Sequence, residues 1–131
     1  MTDHESIRQI IARQAQLRDD DRIEEWAEAF AEDAVFRTER ATFEGKPAIV
    51  ELANSLSTGS WRGVHLLSEP AITVDGDTAT AFTDHMYVAP EREKKGFRIL
   101  SVSRYHDAFA RGADGTWRYT ERYVQGFPSK V

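Results

Sequence analysis

Three consecutive aspartates, Asp19, Asp20 and Asp21, separate two segments that have the apolar periodicity of helices. A carboxylate can take part in proton transfer, and at the start of a helix it can also accept hydrogen bonds from free backbone N–H groups. Asp20 or Asp21 is placed to cap the second helical segment. Asp19 would lie at the edge of the apolar face of the first segment, so it would face either solvent or a pocket.

Two histidines occur in apolar segments with the character of β-strands, His65 in "RGVHLL" and His85 in "TDHMYV". An imidazole with the ordinary pKa of about 6.5 can accept a proton at neutral pH. Side chains alternate between the two faces of a strand, so His85 would share its face with Thr83 and Tyr87. Each histidine is therefore a candidate for a pocket site, with a hydrogen-bonded structural role as the competing interpretation.

The composition limits the kind of protein to which these residues belong. A chain of 131 residues, 40% of them hydrophobic, predicts one globular domain over residues 1–131. The net charge of −5 disfavours binding to nucleic acids and to anionic membranes. The chain has no cysteine, which excludes a disulfide framework and a thiol nucleophile. The polar start "MTDHESIRQ" lacks a signal-peptide core and nothing approaches membrane-spanning length, so we expect a cytoplasmic protein.

Motifs for metals and cofactors are missing from the sequence. His65 and His85 have no second ligand at a spacing such as His-x-x-x-His. The sequence contains no glycine-rich phosphate loop and no Gly-x-Ser-x-Gly nucleophile motif. We therefore expect a site that binds a small-molecule substrate and works without a metal or a cofactor.

The elements that must position these side chains follow from local patterns. Thr2 and Glu5 have the spacing of a capping box, which predicts a first helix from about Asp3. "DRIEEWAEAF" and "EGKPAIVELANSL" predict a second and a third helix, the latter started by glycine and proline. After residue 61, alternating apolar segments separated by turn signals predict strands. This order predicts an α+β fold in which a curved antiparallel sheet packs against three N-terminal helices and encloses a pocket.

The outer face of the predicted sheet is also partly apolar. Leu100 and Val102 alternate with Ile99, Ser101 and Ser103, so neither face of this strand is purely polar. A sheet with two partly apolar faces is expected to have a second partner. We therefore predict a homodimer or a higher homo-oligomer formed through the sheet.

Several strings along the chain resemble SnoaL-like members of the nuclear transport factor 2-like superfamily. They are "IRQIIARQAQLRDDDRIEEWAEAFAEDAVF", "EGKPAIVEL", "RGVHLLSEPAITVDGDTATA" and "SRYHDAFARGADGTWRYTERYV". The resemblance implies a cone-shaped α+β barrel with an enclosed pocket. In the dehydratase and dehydrochlorinase branches of the superfamily, an aspartate after the first helix and a histidine on the first long strand form a catalytic pair. Asp19 and His65 match these two positions.

Two departures from the dehydratase branch concern the substrate. The tyrosine that precedes the catalytic aspartate in that branch is replaced here by Arg18, and a second pocket tyrosine corresponds to about Thr38. One scaffold can host unrelated chemistries, so the resemblance does not specify the substrate. Two arginines of the later strands, Arg104 and Arg122, are candidates for contacts with an anion, and we favour the interpretation that they form surface ion pairs.

Side chains with rings are the candidates for binding an apolar, ring-containing substrate. Beside the catalytic pair Asp19 and His65, the predicted substrate-binding residues are His85, Tyr87, Trp26, Phe30, Trp61 and Tyr105.

Two functions of different classes agree with this pattern. The first is a cofactor-independent lyase of the dehydratase type, or an isomerase, that acts on a small apolar molecule with a ring. In this enzyme Asp19 and His65 would transfer the proton. The second is a non-catalytic ligand-binding or assembly domain, because "DRIEEWAEAFAEDAVF" also resembles the opening helix of the β-subunits of aromatic-ring dioxygenases.

Overall fold

The computed structural model describes residues 1–57, 63–91, 93 and 95–128 of the chain. Within these ranges the helices are α1 (Asp3–Asp19), α2 (Ile23–Glu28) and α3 (Lys46–Leu56). The strands are β1 (Phe30–Thr38), β2 (Thr42–Glu44), β3 (Val64–Leu67), β4 (Ala71–Asp75), β5 (Thr78–Pro90), β6 (Phe97–Arg111) and β7 (Trp117–Gly126). The predicted α+β class, with helices before a long run of strands, is confirmed.

Helix α1 begins where the sequence predicts. The Glu5 N–H donates to the Thr2 hydroxyl at 3.1 Å, and the Thr2 N–H donates to the Glu5 carboxylate at 2.7 Å, which completes the capping box. Ile7 and Ile11 are buried on the inner face of this helix. The helix ends at Asp19, so its last turn carries this carboxylate toward the sheet.

The prediction that Asp20 or Asp21 caps α2 is wrong. Arg22 holds the N-cap position of α2, without a hydrogen bond from its side chain. Asp20 and Asp21 instead end α1: the Asp20 N–H donates to the Gln16 carbonyl at 2.9 Å, and Asp21 has a positive φ of 60°. Asp20, Asp21 and Arg22 lie between the two helices. The two aspartates form the turn that ends α1, which leaves Arg22 as the N-cap of α2.

The strands form one curved sheet in the order β2-β1-β7-β6-β5-β3, with β4 paired to the first half of β5. Neighbouring strands are antiparallel, except that β1 and β7 run parallel. Register shifts interrupt the ladders between Tyr87 and Val88 and between Ala108 and Phe109. Such irregularities bend strands and increase their twist. In the described part of the chain the sheet is open, with β2 and β3 at the ends of the strand order.

The helices cover the concave face of the sheet and build the core with it. Helix α1 packs on β3 and β4, and α3 packs on β1 and β2. The core joins Ile7 and Ile49 from the helices to Phe109 and Tyr119 from the sheet, all fully or almost fully buried. Full burial of such a side chain contributes about 1.5–3 kcal/mol. Along β5, buried residues alternate with exposed ones, and this alternation places His85 on the concave face.

The convex face of the sheet carries apolar side chains that remain exposed in the isolated chain. Leu66 of β3 is 50% exposed, Phe82 of β5 47% and Ile99 of β6 57%, and Val102 of β6 is also exposed. These four residues are called the convex patch below. None of the helices in the described ranges combines the length and the apolar character needed to cross a bilayer.

Candidate functional site

A cavity of about 420 Å³ lies between the concave face of the sheet and helices α1 and α3. Ile11, Ala15, Trp26 and Leu52 give it an apolar wall on the helical side. The strands and helix α1 with the residues that follow the helices supply its polar lining. The polar side chains that line it among the described residues are Gln14, Arg18, Asp19, Asp21, Thr38, Ser57, His65, His85, Tyr87, Ser101, Ser103, Tyr105 and Arg122.

Asp19 and His65 meet at the wall of this cavity. Nδ1 of His65 lies 2.5 Å from Oδ1 of Asp19, and the His65 backbone N–H points to the two carboxylate oxygens at 3.2 and 3.0 Å. The side chains are 11% exposed for Asp19 and 20% exposed for His65. The carboxylate can only accept, so the neutral imidazole carries its proton on Nδ1. Nε2 is then the nitrogen that is free to accept a proton.

Strand β3 positions His65 by a close approach to β5. His65 pairs with Tyr87 across the ladder, and the Gly63 N–H donates to the Tyr87 hydroxyl at 3.0 Å. A Cβ atom on Gly63 would lie 2.3 Å from the Val88 carbonyl oxygen, so no larger residue fits there without movement of the backbone. The rings of His65 and Tyr87 are 4.7 Å apart. A glycine thus brings the histidine and the tyrosine together.

His85 lies behind His65 as a second imidazole, and its side chain is buried. Its ring stacks on Tyr105 with the centroids 4.2 Å apart, and it is 5.5 Å from the ring of His65. Burial, followed by the charges of His65 and Arg122, lowers the pKa of His85 to about 4. His85 is therefore neutral at neutral pH. Its Nδ1 is buried and has no hydrogen-bond partner among the described residues.

Arg122 of β7, which lines the cavity, forms a buried ion pair with Asp107 of β6. Their two hydrogen bonds measure 2.8 and 3.0 Å, and the guanidinium also donates to the Tyr119 hydroxyl at 3.0 Å. The guanidinium carbon stands 3.8 Å from the centre of the Tyr105 ring. Burial would lower the pKa of Arg122, but the Asp107 carboxylate raises it above its ordinary value, so the cation persists.

The interpretation of Arg122 as part of a surface ion pair is wrong, because both partners are almost fully buried. Arg104 does form a surface pair, with Asp84 at 2.5 Å. A signal for the buried pair was present in the sequence: Asp107 alternates with Tyr105 and Phe109 on one face of β6, where an aspartate is out of place unless it has a partner.

The cavity brings together most of the predicted substrate-binding residues. Trp26, His85, Tyr87 and Tyr105 line it. Phe30 does not: it is fully buried in the core, with its ring 4.9 Å from Trp26 and 5.0 Å from Tyr119. The chain leaves α2 at Glu28, so Phe30 opens a strand and no longer shares a helical face with Trp26. Trp61 lies outside the described residues.

Gln14 is a site residue that the sequence did not single out. It lies within the apolar face of α1 and is 3% exposed. Its Nε2 donates to the Trp26 carbonyl at 2.8 Å, while its Oε1 is buried without a partner in the described ranges. A buried acceptor without a partner costs free energy, so core packing alone does not explain a glutamine at this position of the cavity wall.

The remaining histidines lie away from the cavity. His106 is on the convex face, where it meets Phe82 edge-on and lies 2.8 Å from the Gln125 amide oxygen. His4 is exposed at the start of α1. In the part of the chain that is described, no three side chains of histidine, cysteine, aspartate or glutamate cluster as metal ligands do.

Comparison with known proteins places the chain in a family. The model of a SnoaL-like domain matches residues 1–123. No curated protein matches the sequence. An NTF2-like protein with a cystatin-like fold from Novosphingobium aromaticivorans is 29% identical, with a TM-score of 0.86, over 98% of this chain and 84% of that one.

Two further solved structures bear on the site and on the fold. A Catenulispora acidiphila protein in complex with S-DNPA is 27% identical, with a TM-score of 0.80, over 93% of this chain and 91% of that one. The β-subunit of a putative aromatic-ring-hydroxylating dioxygenase from Novosphingobium aromaticivorans is 20% identical, with a TM-score of 0.80, over 98% of this chain and 90% of that one. At this identity the similarity concerns the fold alone. The chain belongs to the SnoaL-like domain family and has the cystatin-like fold of NTF2-like proteins.

Proposed function

We propose that this protein is a cofactor-independent lyase or isomerase that acts on a small, apolar, ring-containing molecule. The observation that carries the proposal is the contact between Asp19 and Nδ1 of His65 at the cavity wall, at 2.5 Å. A carboxylate that holds one nitrogen of an imidazole makes the other nitrogen a positioned base. Both side chains line the cavity and do not belong to the close-packed core.

The reaction would begin at Nε2 of His65. This nitrogen takes a proton from a carbon or a hydroxyl group of the substrate, and Asp19 stabilises the imidazolium that results. In an elimination, the electron pair of the broken C–H bond forms the C=C double bond. The leaving group departs with the electron pair of its own bond to the neighbouring carbon and receives the proton from His65. In an isomerisation, the proton returns to a different carbon. General-base catalysis of this kind contributes about 10²–10⁴-fold.

The lining of the cavity supports a substrate with a ring. A volume of about 420 Å³ lies within the range of small-molecule sites. Tyr87 and Trp26 offer aromatic surface to such a ligand, and Tyr105 and the neutral His85 add ring-bearing side chains to the lining. The complex of the similar Catenulispora acidiphila protein with S-DNPA also supports a ligand-binding role.

A second candidate function is a non-catalytic assembly subunit. The fold shared with the dioxygenase β-subunit and the exposed convex patch favour it. On either view, the convex patch supports a homodimer or a higher homo-oligomer in which a second copy of this chain covers the sheet.

Hydrogen exchange at carbon tests the proposal without knowledge of the leaving group. β-Tetralone, a bicyclic ketone with acidic C–H bonds, is incubated with the protein in D₂O and followed by NMR. We expect the protein to accelerate deuterium uptake, and Asp19→Asn and His65→Gln to slow it by about 10²-fold or more. His106→Gln is the matched control, because this histidine lies on the convex face. Exchange that persists at the full rate in either cavity variant would contradict the proposed base.

A further inference from the structure

Arg18 is a cation of the cavity whose hydrogen-bonding capacity is little used. It precedes Asp19 in the last turn of α1, and its side chain is 22% exposed. One terminal nitrogen donates to the Ala53 carbonyl at 3.4 Å, and the other lies 3.9 Å from the Asp21 carboxylate. Both contacts are long, and a guanidinium has five N–H donors. Most of these donors therefore have no short hydrogen bond within the described residues, and the side chain lines the cavity.

The other charged groups of the cavity are already engaged. Arg122 has short bonds to Asp107 and to Tyr119. Asp19 is held by His65, and Asp21 accepts a hydrogen bond from the Ser57 hydroxyl at 2.5 Å. Among the described lining residues, Arg18 is thus the charged group without a short hydrogen bond.

The charge of Arg18 acts across the cavity. Burial raises the pKa of the Tyr105 hydroxyl. The positive charges of Arg122 and, more weakly, Arg18 lower it, while the carboxylates of Asp107 and Asp19 add to the rise. Tyr105 of β6 and Arg18 of α1 both line the cavity, so a ligand between them would lie in the field of Arg18 together with that of Asp19.

We propose that Arg18 binds an oxygen of the ligand that carries or develops negative charge. The ligand class is then a ring compound with a carboxylate, or with a carbonyl whose oxygen becomes an enolate when His65 removes the neighbouring proton. A guanidinium binds the two oxygens of a carboxylate through two parallel N–H donors, and it donates a charge-assisted hydrogen bond to the single oxygen of an enolate. The enolate arm rests on the proposed function, whereas the carboxylate arm does not.

The carboxylate arm is tested by binding alone. Naphthoate and its uncharged carboxamide are titrated by calorimetry into the wild-type protein, Arg18→Gln, Arg18→Lys and Arg13→Gln. Arg13 is the matched control, because it is an exposed arginine of the same helix outside the cavity. We expect the wild type and Arg13→Gln to bind naphthoate about ten- to a hundredfold more tightly than the carboxamide.

The variants at Arg18 decide this arm. Arg18→Gln should lose the preference for naphthoate and keep its affinity for the carboxamide, while Arg18→Lys should keep part of the preference because it keeps the charge. An unchanged preference in Arg18→Gln, or a wild type that prefers neither probe or binds neither, would overturn the carboxylate assignment. Thermal unfolding of each variant shows whether a lost preference reflects a lost fold.

The enolate arm uses the deuterium uptake of β-tetralone described above. Arg18→Gln should lower the maximal exchange rate at least about tenfold with a nearly unchanged KM, because the charge on oxygen appears only as the proton leaves. An unchanged maximal rate would overturn this arm. If the wild type does not accelerate deuterium uptake by β-tetralone, the proposed function is contradicted. The binding of naphthoate still tests the carboxylate arm independently.

Discussion

Acidification should destabilise this protein through His85, and the size of the effect follows from the burial of that ring. The unfolded chain has a histidine pKa of about 6.5, whereas burial and the charges of His65 and Arg122 lower the pKa of His85 in the folded protein to about 4. Above pH 6.5 His85 is neutral in both states. As the pH falls below that value, the unfolded chain binds a proton that the folded protein still excludes, so stability falls. The full loss is about 3 kcal/mol once the pH has passed below both pKa values.

The assay is urea unfolding of the wild type and of His85→Gln at about pH 7 and about pH 5. Over this interval the linkage predicts that the wild type loses about 2 kcal/mol more than the variant. Asp84 of the same strand raises the pKa of His85 and so reduces the effect, and its contribution is already contained in the value near 4. His4→Gln, at an exposed position of α1, is the control and should follow the wild type.

Two results would refute the reasoning about His85. One is a pair of parallel stability curves for the wild type and His85→Gln. The other is an NMR titration in which the His85 ring protonates near the ordinary pKa of about 6.5. Either result would mean that the folded protein does not exclude the proton from the His85 ring.

Three further predictions concern the buried ion pair, the close approach of β3 to β5 and the convex patch. Asp107→Asn should cost about 3–5 kcal/mol of unfolding free energy because it leaves Arg122 buried and unpaired, whereas Asp107→Leu combined with Arg122→Met should cost less, as measured by urea unfolding. Gly63→Ala should cost at least about 1–3 kcal/mol in the same assay, because its Cβ would meet the Val88 carbonyl; wild-type stability in this variant would contradict the close approach. Leu66→Lys in the convex patch should convert an oligomer into monomers by light scattering, and a wild type that is already monomeric would contradict the proposed interface.

The sequence predicts those parts of the fold that local chemistry determines. The start of α1 follows from Thr2 and Glu5, and α3 begins after Gly45 with a proline in its first turn, both as expected. The α2 boundaries fail because the expected helix runs on to Phe30. In the sequence, Phe30 can continue the apolar periodicity of a helix or begin a buried strand. In the structure it pairs with Tyr119 of β7 and stacks on its ring, which places it in a strand.

The candidate site depends on contacts between residues far apart in the chain. The placement of Asp19 beside His65 could be predicted only from the resemblance to SnoaL-like proteins. Helical periodicity alone did not decide whether Asp19 faces a pocket or solvent. The ion pair of Asp107 and Arg122 was missed because it requires the pairing of β6 with β7 in a particular register. The parallel pairing of β1 with β7 has no local signal at all.

The protonation of the His65 ring is the most direct test of the central claim that Asp19 makes it a positioned base. Long-range ¹H–¹⁵N NMR correlations of the neutral imidazole distinguish a proton on Nδ1 from one on Nε2. The contact with Asp19 at 2.5 Å predicts a proton on Nδ1 in the wild type and the loss of this preference in Asp19→Ala. A wild-type ring protonated on Nε2, as free histidine prefers, would contradict the claim.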